Sequence, residues 1–170
     1  MVDGGFSPSW FSHKFNGPGV RYEICVSIVG GDIVWINGPF RCGAWPDLRI
    51  AREKLVHNLS RGEKIIADGG YQGEDCFDTP NGLNNQRSKM VSNIRARHET
   101  INGKIKAFRV VSNESTFRHE LKNHQMCFYA VANIVNLELS INKIYNVHYD
   151  ENLFMSEFYL RFLIIFTWYF

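Results

Sequence analysis

Residues 63–73, EKIIADGGYQG, pass from an apolar run into a carboxylate and then into a glycine-rich stretch. Ile65 and Ile66 carry the β-branched side chains that pack well in a buried strand, and Asp68 followed by Gly69 is turn chemistry that ends it. Locally Asp68 has two readings. It is a turn or capping residue, or it is a functional acid at a strand end, where Gly69, Gly70 and Gly73 let another backbone or a phosphate approach closely. Just upstream, Leu48, Ala51, Leu55 and Leu59 recur every three or four residues, which predicts a helix after Pro46 with Asp47 as its N-cap and Gly62 just past its end. A strand that follows a helix is the step that builds a mixed or parallel sheet, so this stretch sets the class as α/β.

Farther upstream, residues 19–29 (GVRYEICVSIV) and 32–37 (DIVWIN) are rich in β-branched and aromatic side chains and are separated by Gly30-Gly31, the pattern of an antiparallel hairpin. Downstream, glycine, proline and asparagine punctuate residues 69–86, leaving a loop with room for a short edge strand near Cys76-Phe77. A second helix is predicted over residues 87–108, where Val91, Ile94, His98, Ile101, Ile105 and Phe108 form one apolar stripe. His98 lies on that stripe and reads as a packed core histidine. A third, more apolar helix is predicted over 120–139, and Met1-Val2 is a candidate first strand. The whole is one α/β domain with a mixed sheet.

A chain of 170 residues, 45% hydrophobic and 21% charged, buries one core and is short for two. Its formal charge of +2 is too small for the whole surface to attract nucleic acid, so any such binding must come from local clusters. Cys25, Cys42, Cys76 and Cys127 form no C-x-x-C pair, which argues against a zinc site or a disulfide framework and reads as reduced thiols of a cytosolic or nuclear protein. The start, MVDGGFSPSWF, lacks the basic and apolar regions of a secretory signal. Residues 158–170, FYLRFLIIFTWYF, are nearly all apolar but too short to span a bilayer, which takes about 20 residues. They read as an extra core strand or helix, or as an appended segment.

The predicted second helix is basic, with Arg87, Lys89, Arg95, Arg97, Lys104, Lys106 and Arg109, and Glu99 is the one acid among them. Alone, Glu99 reads as a surface carboxylate paired one turn back with Arg95. Asp3, Asp68 and Glu99 together read differently. Carboxylates brought together from separate elements repel one another at a cost that cations remove, and hard oxygen ligands suit Mg²⁺ or Mn²⁺. Two such ions about 3.5–4 Å apart activate water and stabilise the leaving oxygen in phosphodiester cleavage.

Several stretches carry a resemblance: Val2-Asp3-Gly4, residues 6–17 (FSPSWFSHKFNG), Arg21-Tyr22-Glu23, residues 30–39 (GGDIVWINGP), Pro46-Asp47, residues 67–73 (ADGGYQG) and residues 95–102 (RARHETIN). Over roughly residues 1–150 the chain resembles the catalytic domain of DDE transposases, in particular the eukaryotic PIF/Harbinger-like group. That resemblance implies an RNase H-like mixed sheet flanked by helices over 1–150, followed by the apolar tail 151–170. It implies a divalent-metal-dependent DNA endonuclease and strand transferase in which Asp3, Asp68 and Glu99 are the catalytic acids and hold Mg²⁺ or Mn²⁺. Asp47 matches an acid before the first helix, either a further metal ligand or simply that helix's cap. Lys14, Arg95, Arg97, Lys104 and Lys106 would bind DNA phosphates. A nuclear or cytoplasmic location without a membrane span is expected, with room for a separate DNA-binding partner protein. Gly5 and Phe6 directly follow Asp3-Gly4 where relatives carry a threonine-like residue and a longer spacer, so a shortened first strand is expected. A catalytically inactive remnant that binds DNA or protein is the second reading.

Overall fold

The computed structural model describes residues 7–14, 16–28, 30–79, 98–112, 120–142 and 163–169. Asp3, Arg95, Arg97, the Met1-Val2 strand and the first part of the second predicted helix lie outside them. The hairpin is formed by β3 (Val20–Ser27) and β4 (Ile33–Arg41), antiparallel, with Val20 opposite Arg41 and Val26 opposite Ile33. A register shift between Arg21 and Glu23 bulges β4. Gly38 (φ +138°) sits there because a Cβ would lie 2.8 Å from the Tyr22 ring and 2.9 Å from the Arg21 carbonyl oxygen. Ahead of the hairpin, β1 (Phe11–Ser12) and β2 (Gly17–Pro18) make a small two-stranded ribbon.

After the hairpin come α1 (Asp47–Glu53), α2 (Leu55–Asn58), β5 (Ile65–Ile66) and β6 (Phe77–Asp78), with β6 at the expected edge position. The single expected helix is thus two. Lys54 leaves helical geometry, and its carbonyl accepts from Asn58 Nδ2 at 2.8 Å. The N-cap is Pro46, not Asp47. Asp47 is the first helical residue, and its carboxylate is held by a guanidinium. Gly62 (φ +84°) is not the helix-ending residue either: α2 stops at Asn58, and Gly62 lies in the turn before β5. Residues 98–106 form α3, and α4 (Leu121–Ile141) matches the third predicted helix.

Residues 163–169 of the apolar tail form β7 (Leu163–Tyr169), which lies inside the sheet. The strand order is β4-β3-β7-β5-β6. β7 runs antiparallel to β3, from Arg21 opposite Tyr169 to Ser27 opposite Leu163, and parallel to β5. The sheet is therefore mixed, an antiparallel half and a parallel half joined through β7.

β3 is buried on both faces, and its alternation sorts two layers. Val20, Tyr22, Ile24 and Val26 pack with Ile101 and Ile105 of α3 and with Phe128, Val131, Val135 and Leu139 of α4. Cys25 belongs to the second core, with Ala51, Leu55, Ile65, Ala67, Tyr71 and Phe77. Each large side chain so buried is worth about 1.5–3 kcal/mol. Polar side chains of α4 also reach β4: Asn136 exchanges two hydrogen bonds with the Ile33 backbone, and Gln125 Nε2 donates to the Gly38 carbonyl at 2.7 Å.

Candidate active-site cleft

The face of β3 turned towards α1 presents charge. Arg21 donates from Nη1 to Asp47 Oδ1 at 2.8 Å and from Nη2 to the Cys42 carbonyl at 2.7 Å, with both ionic side chains largely buried. A buried guanidinium needs a carboxylate partner, and Asp47 meets that need from the first turn of α1. Asp68 follows β5 and caps the short turn Gly69–Tyr71, its Oδ1 accepting from the Gly70 amide at 2.8 Å. The local reading of Asp68 as a capping residue is correct, and it leaves the functional reading standing.

Gly70 brings the two acids together. A Cβ at Gly70 would lie 2.7 Å from Asp47 Oδ2 and 3.0 Å from Asp68 Oδ1. The two carboxylate oxygens are thus separated by no more than the sum of those distances, and only a glycine leaves the space between them open. Asp47 and Gly70 border a cleft of about 720 Å³ lined also by Phe11, His13, Lys14, Arg21 and Cys42.

Two residues from Arg21 along the same face, Glu23 is fully buried. Its Oε2 accepts from Trp35 Nε1 at 2.9 Å. Asn37 also favours the charged form of the carboxylate, while Glu23 Oε1 has no regular hydrogen-bond partner among the described residues. Burial pushes the Glu23 carboxyl up to about 7 and the nearby Asp47 charge adds to this, against the opposing pull of Trp35 and Asn37. Sequence reading assigned no role to Arg21 or Glu23. Their signal was two charges at alternate positions inside an apolar strand.

The other expected site residues are dispersed. Glu99 is exposed on α3, whose Ile101 and Ile105 pack into the α4 layer, and its Oε1 lies 3.7 Å from His98 Nε2. Lys104 is paired with Glu138 of α4. Lys106 is exposed near the end of α3, and Lys14 stands at the cleft. Among the described residues no three His, Cys, Asp or Glu side chains gather as a metal-binding group. Asp3, the first acid of the expected triad, lies outside those residues.

Residues 6–136, most of the chain, match the family described as DDE superfamily endonuclease. No curated protein and no solved structure matches.

Proposed function

The chain belongs to the DDE superfamily endonuclease family, and we propose that it is a divalent-metal-dependent DNA endonuclease and strand transferase of the transposase type, in the PIF/Harbinger-like group. One observation carries the reading beyond family membership: Asp47 and Asp68, from separate elements, converge on Gly70 at the edge of a cleft. Two carboxylates that approach one another with only a glycine between them are hard oxygen donors of the kind that suits Mg²⁺ or Mn²⁺. Asp47 and Asp68 would hold the metal, with Asp3 and Glu99 as the further acids of the family pattern. When bound, the metal lowers the pKa of water and stabilises charge on the leaving oxygen of a phosphodiester.

The chain's own residues supply the rest. Arg21 fixes the Asp47 carboxylate through Oδ1 and directs Oδ2 towards Gly70, as outer partners of ligating carboxylates do. The Gly70 amide orients Asp68 in the same way. Lys14 faces the incoming strand and binds phosphate, a contact without sequence preference. The order β4-β3-β7-β5-β6, an antiparallel hairpin beside a parallel pair, supports an RNase H-like sheet. No helix among the described residues is long and apolar enough to cross a membrane. We place the protein on DNA, in the nucleus or cytoplasm, with a separate protein partner contributing to DNA binding.

A nicking assay in Mg²⁺ or Mn²⁺ tests the proposal with the natural chain, Asp47→Asn, Asp68→Asn and Glu99→Gln. Even outer partners of metal ligands are worth roughly ten- to a hundredfold, so each substitution is expected to slow nicking by more than about a hundredfold. Equal rates in all four chains would sink the assignment. The dispersed placement of Glu99 favours, as a second reading, an inactive DNA- or protein-binding module, for which none of the four chains nicks.

A further inference from the structure

We propose that the cleft beside Asp47 is a nucleotide-binding pocket that takes one unstacked DNA base against Phe11 and His13 and its phosphate against Lys14. The inference rests on the nuclease reading and adds to it the form in which the strand is bound.

The wall of the cleft is built in place. The amides of Gly43 and Ala44 both donate to the Ser9 carbonyl at 3.0 Å, and the Gly19 amide donates to the Trp10 carbonyl at 2.8 Å. The Arg41 guanidinium lies over the Trp10 ring, 4.8 Å from its centre. A Cβ at Gly43 would come within 2.2 Å of the Pro8 carbonyl oxygen, so the close seating of residues 8–11 on the turn at Gly43 depends on that glycine. These contacts fix the ribbon that carries Phe11 and His13, whose rings meet edge to face with centres 5.1 Å apart. Both rings line the cleft, with Pro8 as a further apolar surface and Lys14 beside them.

That chemistry divides the cleft. Phosphate recognition needs Lys14, but Phe11 and Pro8 offer a phosphate nothing. An aromatic ring in a concave site meets the flat face of a base once the base has left the helical stack. Stacking of this kind tolerates every base. Asp47 and Gly70 line the same cleft, so a base held there places its neighbouring phosphate towards the acids that meet at Gly70.

The test measures binding of the full chain without metal, so cleavage plays no part. Fluorescence anisotropy compares a labelled single-stranded oligonucleotide with the same sequence in a matched duplex, across a salt series. Phe11→Ala is expected to weaken single-strand binding about tenfold while leaving duplex binding and the salt slope unchanged, and Phe11→Trp to restore it. Lys14→Ala is expected to weaken both forms and reduce the salt slope by about one. His13→Ala, at an exposed position, is the second variant should Phe11→Ala fail to fold, and its expected effect is likewise confined to the single strand. Equal binding of single strand and duplex by the natural chain, or equal losses on both in the aromatic variants, would overturn the pocket. Base binding without nicking would remove only the nuclease reading, and nicking without an aromatic effect would remove only the pocket.

Discussion

The two faces of β3 are built from alternate residues of one strand and do opposite things. Towards α4, Tyr22 is stacked on Phe128 with ring centres 3.8 Å apart and planes within 5°, and its hydroxyl is 2.7 Å from His124 Nδ1. Burial pushes the His124 imidazole down to about 4, so at neutral pH it is uncharged and shares a hydrogen bond with the Tyr22 hydroxyl. Towards α1, Arg21 and Glu23 replace such rings with ionisable groups, and Asp47 and the cleft lie beside them. One face lowers its energy by packing. The other keeps charge under cover, which costs stability and serves a site that must handle phosphates.

The largest expected effect that separates the faces is Phe128→Ala. Loss of a fully buried ring should cost about 3–5 kcal/mol in chemical denaturation. DNA binding by the remaining folded fraction should be unchanged, and a loss of affinity in that fraction would show that the faces are coupled.

Next comes a pair of opposed pH effects. Glu23 holds its proton more tightly when folded, at about 7 against its ordinary 4.5. Its contribution is therefore fully present below 4.5 and is lost as pH rises through 7. His124 shifts from 6.5 to about 4, so the unfolded chain binds the extra proton, and stability present above 6.5 is lost as pH falls through 4. Each amounts to about 1–3 kcal/mol. Thermal melts should show Glu23→Gln flattening the decline towards pH 7 and His124→Gln flattening the decline towards pH 4. A profile moved by neither substitution would break the contrast.

The smallest expected effect concerns two lysines. Lys104 is tied to Glu138 on the packing side, so Lys104→Ala should cost at most about 1 kcal/mol and change the salt dependence of DNA binding less than Lys14→Ala does. Equal changes in the salt slope would place both lysines on the DNA.

Much of this was legible in the chain. The hairpin showed in its β-branched runs around Gly30-Gly31, and α4 in a long helical pattern, because each signal lies within one element. Asp68 was legible as a strand-end acid. The meeting of Asp68 with Asp47, which only the family resemblance implied, was not legible in the residues themselves, since it passes through Gly70, a residue with no side chain to announce it. Nor was the Arg21–Asp47 pair, made across 26 positions, which displaced the expected capping role of Asp47.

The apolar tail marks the same boundary. Its composition determined that residues 163–169 would seek burial, as the alternation in β3 determined which residues would share a face. Only the tertiary structure decided that the last strand enters the middle of the sheet, between β3 and β5, and that a carboxylate after β5 meets another from the start of α1. The hydrophobic effect is proportional to area and indifferent to partner, so it drives a segment inside without naming its neighbours. Neighbours are chosen by backbone pairing across the whole sheet and by the need of each buried charge for an opposite one.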